Sequence, residues 1–281
     1  MASPEANGSV EAAVNYIDGM AGKPSILMPD AAPGDTPGTA RHTGHRVAIQ
    51  DARRISGGAA LDRHGFTLCR RETAVADFRD ETEIRSVYYP ECEALIREAT
   101  GATRAFVFDH NVRSGDAATR AAMGVQGPVA LVHNDYTATS APRRVRGLLP
   151  ADEVEELLAH RFAIINLWRP VQPVVRSEPL ALCDAGSIAP GDLVATELRY
   201  RHRTGEEFHG THNPDHRWYY FPEMREAEAL LIKCFDSATD GRARFTLHTA
   251  FADPTSPACA PARESIEVRC FAFFAPQADA A

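Results

Sequence analysis

The sequence predicts a mainly β protein with flanking α-helices: a mixed, helix-bearing N-terminal portion, then a β-sandwich or barrel. Three observations carry this. Between Phe162 and Phe274 the stretches FAIINLWRPV, PLALCD, DLVATELRYRH, HRWYYFP, ALLIKCF, ARFTLHTAF and SIEVRCFAFF follow one another, each short and rich in β-branched or aromatic residues. Gly, Pro, Asp and Asn punctuate them, the pattern of a double-layered or closed β architecture. Upstream, PECEALIREATG and LPADEVEELLAHR space their apolar residues at helical period. At 281 residues and 44% hydrophobic content, the chain has material for one large core or two small ones.

Taken in order, residues 1–45 read as a loose segment, since MPDAAPGDTPGTARHTGH is dominated by Pro, Gly, Thr and Ala. Residues 46–281 read as a single domain, with 46–130 a mixed α/β support and 131–274 the barrel. HRVAIQDAR holds a short strand over Val47 to Gln50, and GFTLCRRET holds another. The helix of PECEALIREATG ends where Gly101 can cap it. AFVFDH gives a strand from Ala105 to Phe108, and the residues after it read as a loop. The second helix opens at Pro150 and Asp152, with Glu153, Glu155 and Glu156 favouring the positive helix end. The tail APQADAA reads as frayed.

Net charge is −8, with no basic tail and no broad Lys/Arg block, which argues against a nucleic-acid partner. No apolar run approaches the ~18 residues of a membrane span. MASPEANGSVEAAV lacks the layout of a signal peptide. The cysteines (Cys69, Cys92, Cys183, Cys234, Cys259 and Cys270) include no C-x-x-C pair, so reduced thiols and a cytoplasmic location are expected.

The chemistry-bearing motif is LVHNDYT, Leu131 to Thr137. On a strand, His133 and Asp135 share a face and offer an imidazole nitrogen and a carboxylate oxygen to one ion. Alone, such a pair also reads as a strand-end histidine and a turn-starting aspartate. A third ligand has two sources. One is FHGTHNPDH, with His209, His212 and His216 in what reads as a polar loop. The other is His248, a single polar residue late in the apolar strand of FTLHTAF. After it comes ARESIEVRCFAFF, where Arg263, Ser265, Glu267 and Arg269 share one face at period two. If that face looks into a barrel, an arginine there presents a planar fork to a carboxylate. A zinc hydrolase on the three clustered histidines is disfavoured, because no Glu stands in an HExxH-like arrangement.

The order His133-x-Asp135, His248, Arg263-x-Ser265 resembles the Fe(II)/2-oxoglutarate-dependent oxygenases. RSVYYPECEALIREATGA, VFDHNVR, VHNDYT, INLWRPV, PLALCD, HRWYYFPEM, LIKCFDS, LHTAF and RESIEVR resemble a subgroup with the cephamycin methoxylase small subunit and the aspergillic-acid-type hydroxylase/desaturases. The resemblance implies a double-stranded β-helix, the cupin-like jelly roll, with Fe(II) held by His133, Asp135 and His248. It implies that 2-oxoglutarate chelates the iron while Arg263, assisted by Ser265, grips its far carboxylate; Arg269 is a rival for that role. The implied reaction consumes dioxygen, releases succinate and CO2, and hydroxylates or desaturates a C–H position of a small specialised metabolite. The separation of Asp135 from His248 exceeds that of compact members of the superfamily, so the helix near 150–161 and the His-rich stretch are expected to be insertions.

Residues that contact cofactor or substrate are less defined. Asn166 could donate to 2-oxoglutarate or to substrate, or could bond only to backbone. Trp168 reads as core and as a candidate pocket wall, and Arg169 as a surface residue. His110 and Arg113 fall in a presumed loop that either caps the pocket or is a solvated turn. Tyr136 and Thr137 follow the metal pair and line the site or pack. Of Tyr219 and Tyr220 at most one faces the cavity, and Tyr219 is the candidate. Two other readings remain at this point: a cupin-like binding module without catalysis, and a subunit that works as a homodimer or beside a partner enzyme.

Overall fold

Fourteen strands form two sheets in the computed structural model, which describes residues 8–19, 22–31 and 36–276. The strands are β1 (Ser9–Ile17), β2 (Ser25–Leu27), β3 (His42–Asp51), β4 (Phe66–Arg70), β5 (Arg104–Ser114), β6 (His133–Asn134) and β7 (Phe162–Pro170). They continue as β8 (Leu180–Cys183), β9 (Leu193–Arg199), β10 (Thr204–Gly210), β11 (Trp218–Tyr220), β12 (Glu228–Asp236), β13 (His248–Ala250) and β14 (Glu264–Phe273). The helices are α1 (Leu61–His64), α2 (Glu81–Glu83), α3 (Tyr89–Thr100), α4 (Ala117–Met123), α5 (Ser140–Arg146) and α6 (Ala151–Ala159).

One sheet runs β1-β3-β11-β8-β13-β6-β10-β9-β2 and the other β4-β12-β7-β14-β5. From β5 to β8, and again from β11 to β14, the chain changes sheet at each step. That alternation is the double-stranded β-helix the sequence led us to expect. Of the two stretches expected as insertions, the helix near 150–161 is α6, which with α5 joins β6 to β7, and the His-rich stretch runs from the end of β10 toward β11.

The core lies between the sheets, where Ile164, Trp168, Leu182, Leu230, Ile232, Phe271 and Phe273 meet. The five-stranded sheet is covered on its other face too. Leu95 and Ile96 of α3, with Tyr88 before it, pack on Ile165, Leu167, Val268 and Cys270. Burial on both faces is why β7 is apolar apart from Asn166 and Arg169: all its residues are buried. Helix α3 starts with Pro90 in its first turn and stops at Gly101, whose φ of 73° is the left-handed cap expected there.

Three expectations are corrected. The N-terminal segment is not loose over Ser9–Ile17, where β1 pairs antiparallel with β3 from Ser9↔Gln50 to Ile17↔His42. Val10, Ala12, Val14 and Tyr16 alternate inward and pack with Trp218 and Leu247, so the period-two signal was present among Ala, Glu and Asn. Residues 1–7 lie outside the described part, as do residues 277–281 of the tail. Second, β5 extends through Ser114, which puts His110 and Arg113 on a strand. The barrel sheets therefore include β4 and β5, upstream of residue 131. Third, Arg169 is 2% exposed; its guanidinium donates to the Tyr88 hydroxyl at 3.2 Å and to the Glu226 carbonyl at 2.6 Å.

At the end of β12 a buried ion cluster ties strand to helix. Asp236 accepts from Arg161 Nη2 at 2.7 Å and from Lys233 Nζ at 3.0 Å, and Lys233 also reaches Asp62 of α1. Burial works against the Asp236 carboxylate, but Arg161 and Lys233 hold its pKa below the usual range. A carboxyl that titrates lower in the folded state adds stability above about pH 4, and that contribution is lost as pH falls further. Asp236→Asn is expected to cost about 3–5 kcal/mol in urea unfolding at pH 7. The gap to the parent protein should narrow below about pH 4.

Candidate metal centre

Strands β6 and β13 are neighbours, with His133 directly opposite His248. Side chains opposite each other in a ladder share a face, so both imidazoles enter the barrel together, ring centroids 4.4 Å apart. His133 Nδ1 donates to the Leu131 carbonyl at 2.8 Å, and His248 Nδ1 donates to the Thr246 carbonyl at 2.9 Å. A proton fixed on Nδ1 leaves the Nε2 lone pair free for a metal. Asp135 follows β6. Its Oδ2 accepts from Asn166 Nδ2 and from Arg269 Nε, both at 2.8 Å. Its Oδ1 stands 3.5 Å from His133 Nε2 and 3.9 Å from His248 Nε2. One ligand atom from each residue fits within 4.8 Å of the others. Two imidazoles and a carboxylate on one face are a donor set for Fe(II) with coordination positions left open.

The surroundings set the charge states. Burial opposes an ionised Asp135, but Arg269 above all, then the two histidines, hold its pKa well below the usual range. Burial, reinforced by His133, brings His248 down to about 4, so it is neutral and ready to ligate. Burial would lower His133 as well, but Asp135 and Glu207 carry it up to about 9, so without a metal its Nε2 holds a proton toward Asp135 that an arriving cation would displace.

A set of residues behind the motif fixes its position. Asn134, fully buried, donates to the carbonyls of Tyr136 and Cys234 and accepts from the Thr246 amide at 3.1 Å. It thereby ties β6 to β12 and to the residues that lead into His248. Thr246 in turn donates its hydroxyl to the Gly65 carbonyl at 3.0 Å. Gly65 has φ of 84°, and a Cβ there would lie 2.1 Å from Thr246 Oγ1, so only glycine admits this contact. Asn134, Thr246 and Gly65 were not singled out in the sequence. Asn134 sits between the two candidate ligands of the motif, and that was the available signal.

The row of alternate residues that enters β14 is Arg263, just before the strand, then Ser265, Glu267 and Arg269. Arg269 lies opposite Asp109 on β5 and Asn166 on β7, while Ser265 lies opposite Arg113 and Pro170. The two arginines have different commitments. Arg269 binds Asp135 and, through Nη1 at 3.3 Å, Asp109. With its carboxamide oxygen turned inward, Asn111 accepts from Arg269 Nη2 at 2.9 Å. Arg263 is 2% exposed, lies over the Trp168 ring at 5.5 Å and donates to the Glu178 carbonyl. Among the described residues it pairs with no carboxylate. Arg263 Nε, Ser265 Oγ and Asn166 Oδ1 are buried without a hydrogen-bond partner.

Other sequence candidates separate. Arg113 is on the inner face, donating to Gln126 Oε1 at 3.2 Å and to the Gly127 carbonyl at 3.0 Å. Tyr136 borders the cavity beside Asp135. His110 is opposite Val268 and faces outward; Tyr89 and Glu81 engage its ring, and it does not line the cavity beside Asp135. Thr137 is buried, donating to Glu206 and accepting from the Ser140 amide at 2.9 Å, and so shapes the start of α5. Tyr219 packs on Phe66 and opens on a separate cavity with Asp184 and Arg217. Of the clustered histidines, His209 is a buried β10 residue opposite His133, not part of a polar loop. Its nitrogens are taken by His42 at 2.9 Å and Glu207 at 2.7 Å. His212 stacks on His45 at 4.1 Å, and His216 bonds to Tyr16 and Asp192. A cavity of about 230 Å³ opens over Asp135 and Arg269, between α5 and the β9–β10 turn.

A family model described as an oxidoreductase/YMDC permease-like domain matches residues 14–273. The hydroxylase/desaturase efuI of Hormonema carpetanum is 36% identical, over 82% of this chain and 84% of its own. The Fe(II)/2-oxoglutarate-dependent dioxygenase nvfI of Aspergillus novofumigatus is 33% identical, over 86% of this chain and 87% of its own. The chain belongs to this hydroxylase/desaturase family of Fe(II)/2-oxoglutarate-dependent oxygenases. A solved structure of the iron and alpha-ketoglutarate-dependent endoperoxidase NvfI superimposes with a TM-score of 0.84 at 28% identity, covering 95% of this chain and 98% of that one. Membership makes the chain an oxygenase that uses iron and 2-oxoglutarate on a small-molecule substrate with dioxygen. It stands against the non-catalytic binding module. No helix among the described residues is long and apolar enough to cross a membrane.

Because Arg269 occupies Oδ2 of Asp135 and leaves Oδ1 free, Arg269→Gln is expected to weaken metal binding about 10–100-fold. Anaerobic titration with Mn(II), followed by electron paramagnetic resonance, measures this directly. Unchanged affinity would mean that the arginine plays no part in presenting the ligand.

Proposed function

We propose that His133, Asp135 and His248 hold the iron of this oxygenase and that Arg263, with Ser265, takes the far carboxylate of 2-oxoglutarate. The observation that carries the reading is Arg263. A buried guanidinium without a carboxylate partner is costly, and an arriving dianion removes that cost. Burial draws Arg263 down to about 10, so it keeps its charge at neutral pH. Ser265 Oγ, two residues along the same face, has a free hydrogen-bonding capacity to add. Asn166 Oδ1, nearer the metal ligands, is also without a partner.

Once bound, iron and 2-oxoglutarate supply the oxidation of a substrate C–H bond by dioxygen, as hydroxylation or desaturation, with release of succinate and CO2. The protein supplies order. Arg269 and Asn166 hold Asp135 by one oxygen so that the other faces the two imidazoles. Trp168 covers one face of the Arg263 guanidinium and keeps water from it. The cavity between α5 and the β9–β10 turn admits the substrate to the metal side. The six unpaired cysteines support a reducing, cytoplasmic setting.

His133→Ala and Asp135→Ala should each abolish iron-dependent succinate release; full turnover in either would refute the ligand assignment. Arg263→Ala should lose about 2–5 kcal/mol of 2-oxoglutarate affinity, read by anaerobic calorimetry on the Mn(II)-loaded protein. If Arg263→Ala bound 2-oxoglutarate like the parent protein, the cofactor assignment would fail.

A further inference from the structure

We propose that the substrate carries a carboxylate, and that Arg143 and Arg203 clamp it at the mouth of the cavity over the metal centre. The inference rests on the reading of His133, Asp135 and His248 as the iron site, because the floor of that cavity includes Asp135 and Arg269. A molecule anchored at the mouth extends its far end toward Asp135.

The argument comes from which charges around the cavity are already paired. Its acids are Asp109, Asp135, Glu206 and Glu207. Each has partners within the protein. Asp109 accepts from Arg144 at 3.1 Å and from Arg269 at 3.3 Å. Asp135 is held by Arg269 and Asn166. Glu206 is held by the Thr137 hydroxyl and by Lys23. Glu207 bonds to His209. Its arginines are Arg143, Arg144, Arg203 and Arg269, and two of them are consumed by those acids. Among the described residues, Arg143 and Arg203 are the two of these four arginines in no ion pair, although the Arg143 charge helps hold Glu206 ionised from a distance.

Their placement suits a clamp. Arg143 stands on α5, where both neighbouring arginines are engaged: Arg144 with Asp109 and Arg146 with Glu155 at 2.7 Å. Arg203 closes the β9–β10 turn on the facing wall. Its guanidinium lies over the Tyr200 ring, 3.6 Å from the centroid. Stacking orients the plane of the fork and keeps edge N–H groups available. Both side chains are exposed at the rim, and a carboxylate seated between them accepts from both forks. A neutral substrate would gain nothing there.

The test is ligand-observed NMR on the Mn(II)-loaded protein saturated with 2-oxoglutarate, which keeps other acids out of the Arg263 site. The probes are benzoate, 2-naphthoate and decanoate, each beside its methyl ester. At least one acid should bind saturably and about tenfold more tightly than its ester. Arg143→Ala and Arg203→Ala, checked for folding by circular dichroism, should each weaken the acid several-fold and leave the ester unchanged. Arg146→Ala, on the same helix but paired with Glu155, should leave acid binding unaltered. Equal binding of acid and ester, insensitivity to both substitutions, or no saturable acid at all would overturn the clamp. Such a failure with 2-oxoglutarate still bound would count against the clamp alone. Loss of 2-oxoglutarate binding in the parent protein would instead count against the iron-site reading.

Discussion

Asp135 is held by only one of its two oxygens, and much of the barrel interior follows from that. Oδ2 is taken by Arg269 and Asn166, which leaves Oδ1 turned toward the two histidine nitrogens. A carboxylate buried this deeply cannot stay ionised without a cation, and Arg269 cannot be buried without more acids. Asp109 and the oxygen of Asn111 supply that second set of acceptors. The polar network is thus nearly closed on itself, as buried polar groups require. The exceptions are Arg263, Ser265 and one oxygen of Asn166.

The network divides the barrel along its length. From Arg263, just before β14, the inward residues run Ser265, Glu267, Arg269 and then Phe271, Phe273. The change of character falls at the bulge between Arg269 and Cys270, where β5 contributes an extra residue, Phe108. A bulge twists and re-aims the strand locally, a common device beside active sites. Below it Phe271 and Phe273 join an apolar core that keeps the two sheets together. Above it the wall is built for charge. The stable half and the reactive half share the same strands, so the rigidity of one is available to the other.

How much of this could be read from the sequence depended on whether the signal was local. His133 and Asp135 declare themselves as a His-x-Asp pair closing an apolar run, although Asp135 lies just past the end of β6, and His248 because it stands alone in an apolar run. The row from Arg263 to Arg269 was equally legible as a row. The division of labour inside it was not, since period two puts both arginines on one face and says nothing about which meets Asp135. That assignment depends on Asp109 and Asn166, which come from other strands. His110 was misplaced because β5 continues through DHNVRS, whose polar residues look like a loop until they are seen to face a polar interior. β1 was missed because SVEAAVNYI buries only small or moderately apolar side chains before Tyr16. The pocket walls, Arg143 and Arg203, lie on inserted elements whose docking no local pattern specifies.

The central claim is that one face of this barrel holds iron and 2-oxoglutarate together. The most direct measurement is the visible spectrum of the metal-free protein under anaerobic conditions as Fe(II) and then 2-oxoglutarate are added. A weak metal-to-ligand charge-transfer band that appears only when both are present, and that is lost in His248→Ala, is the predicted result. Normal metal binding with no such band on adding 2-oxoglutarate would contradict the account.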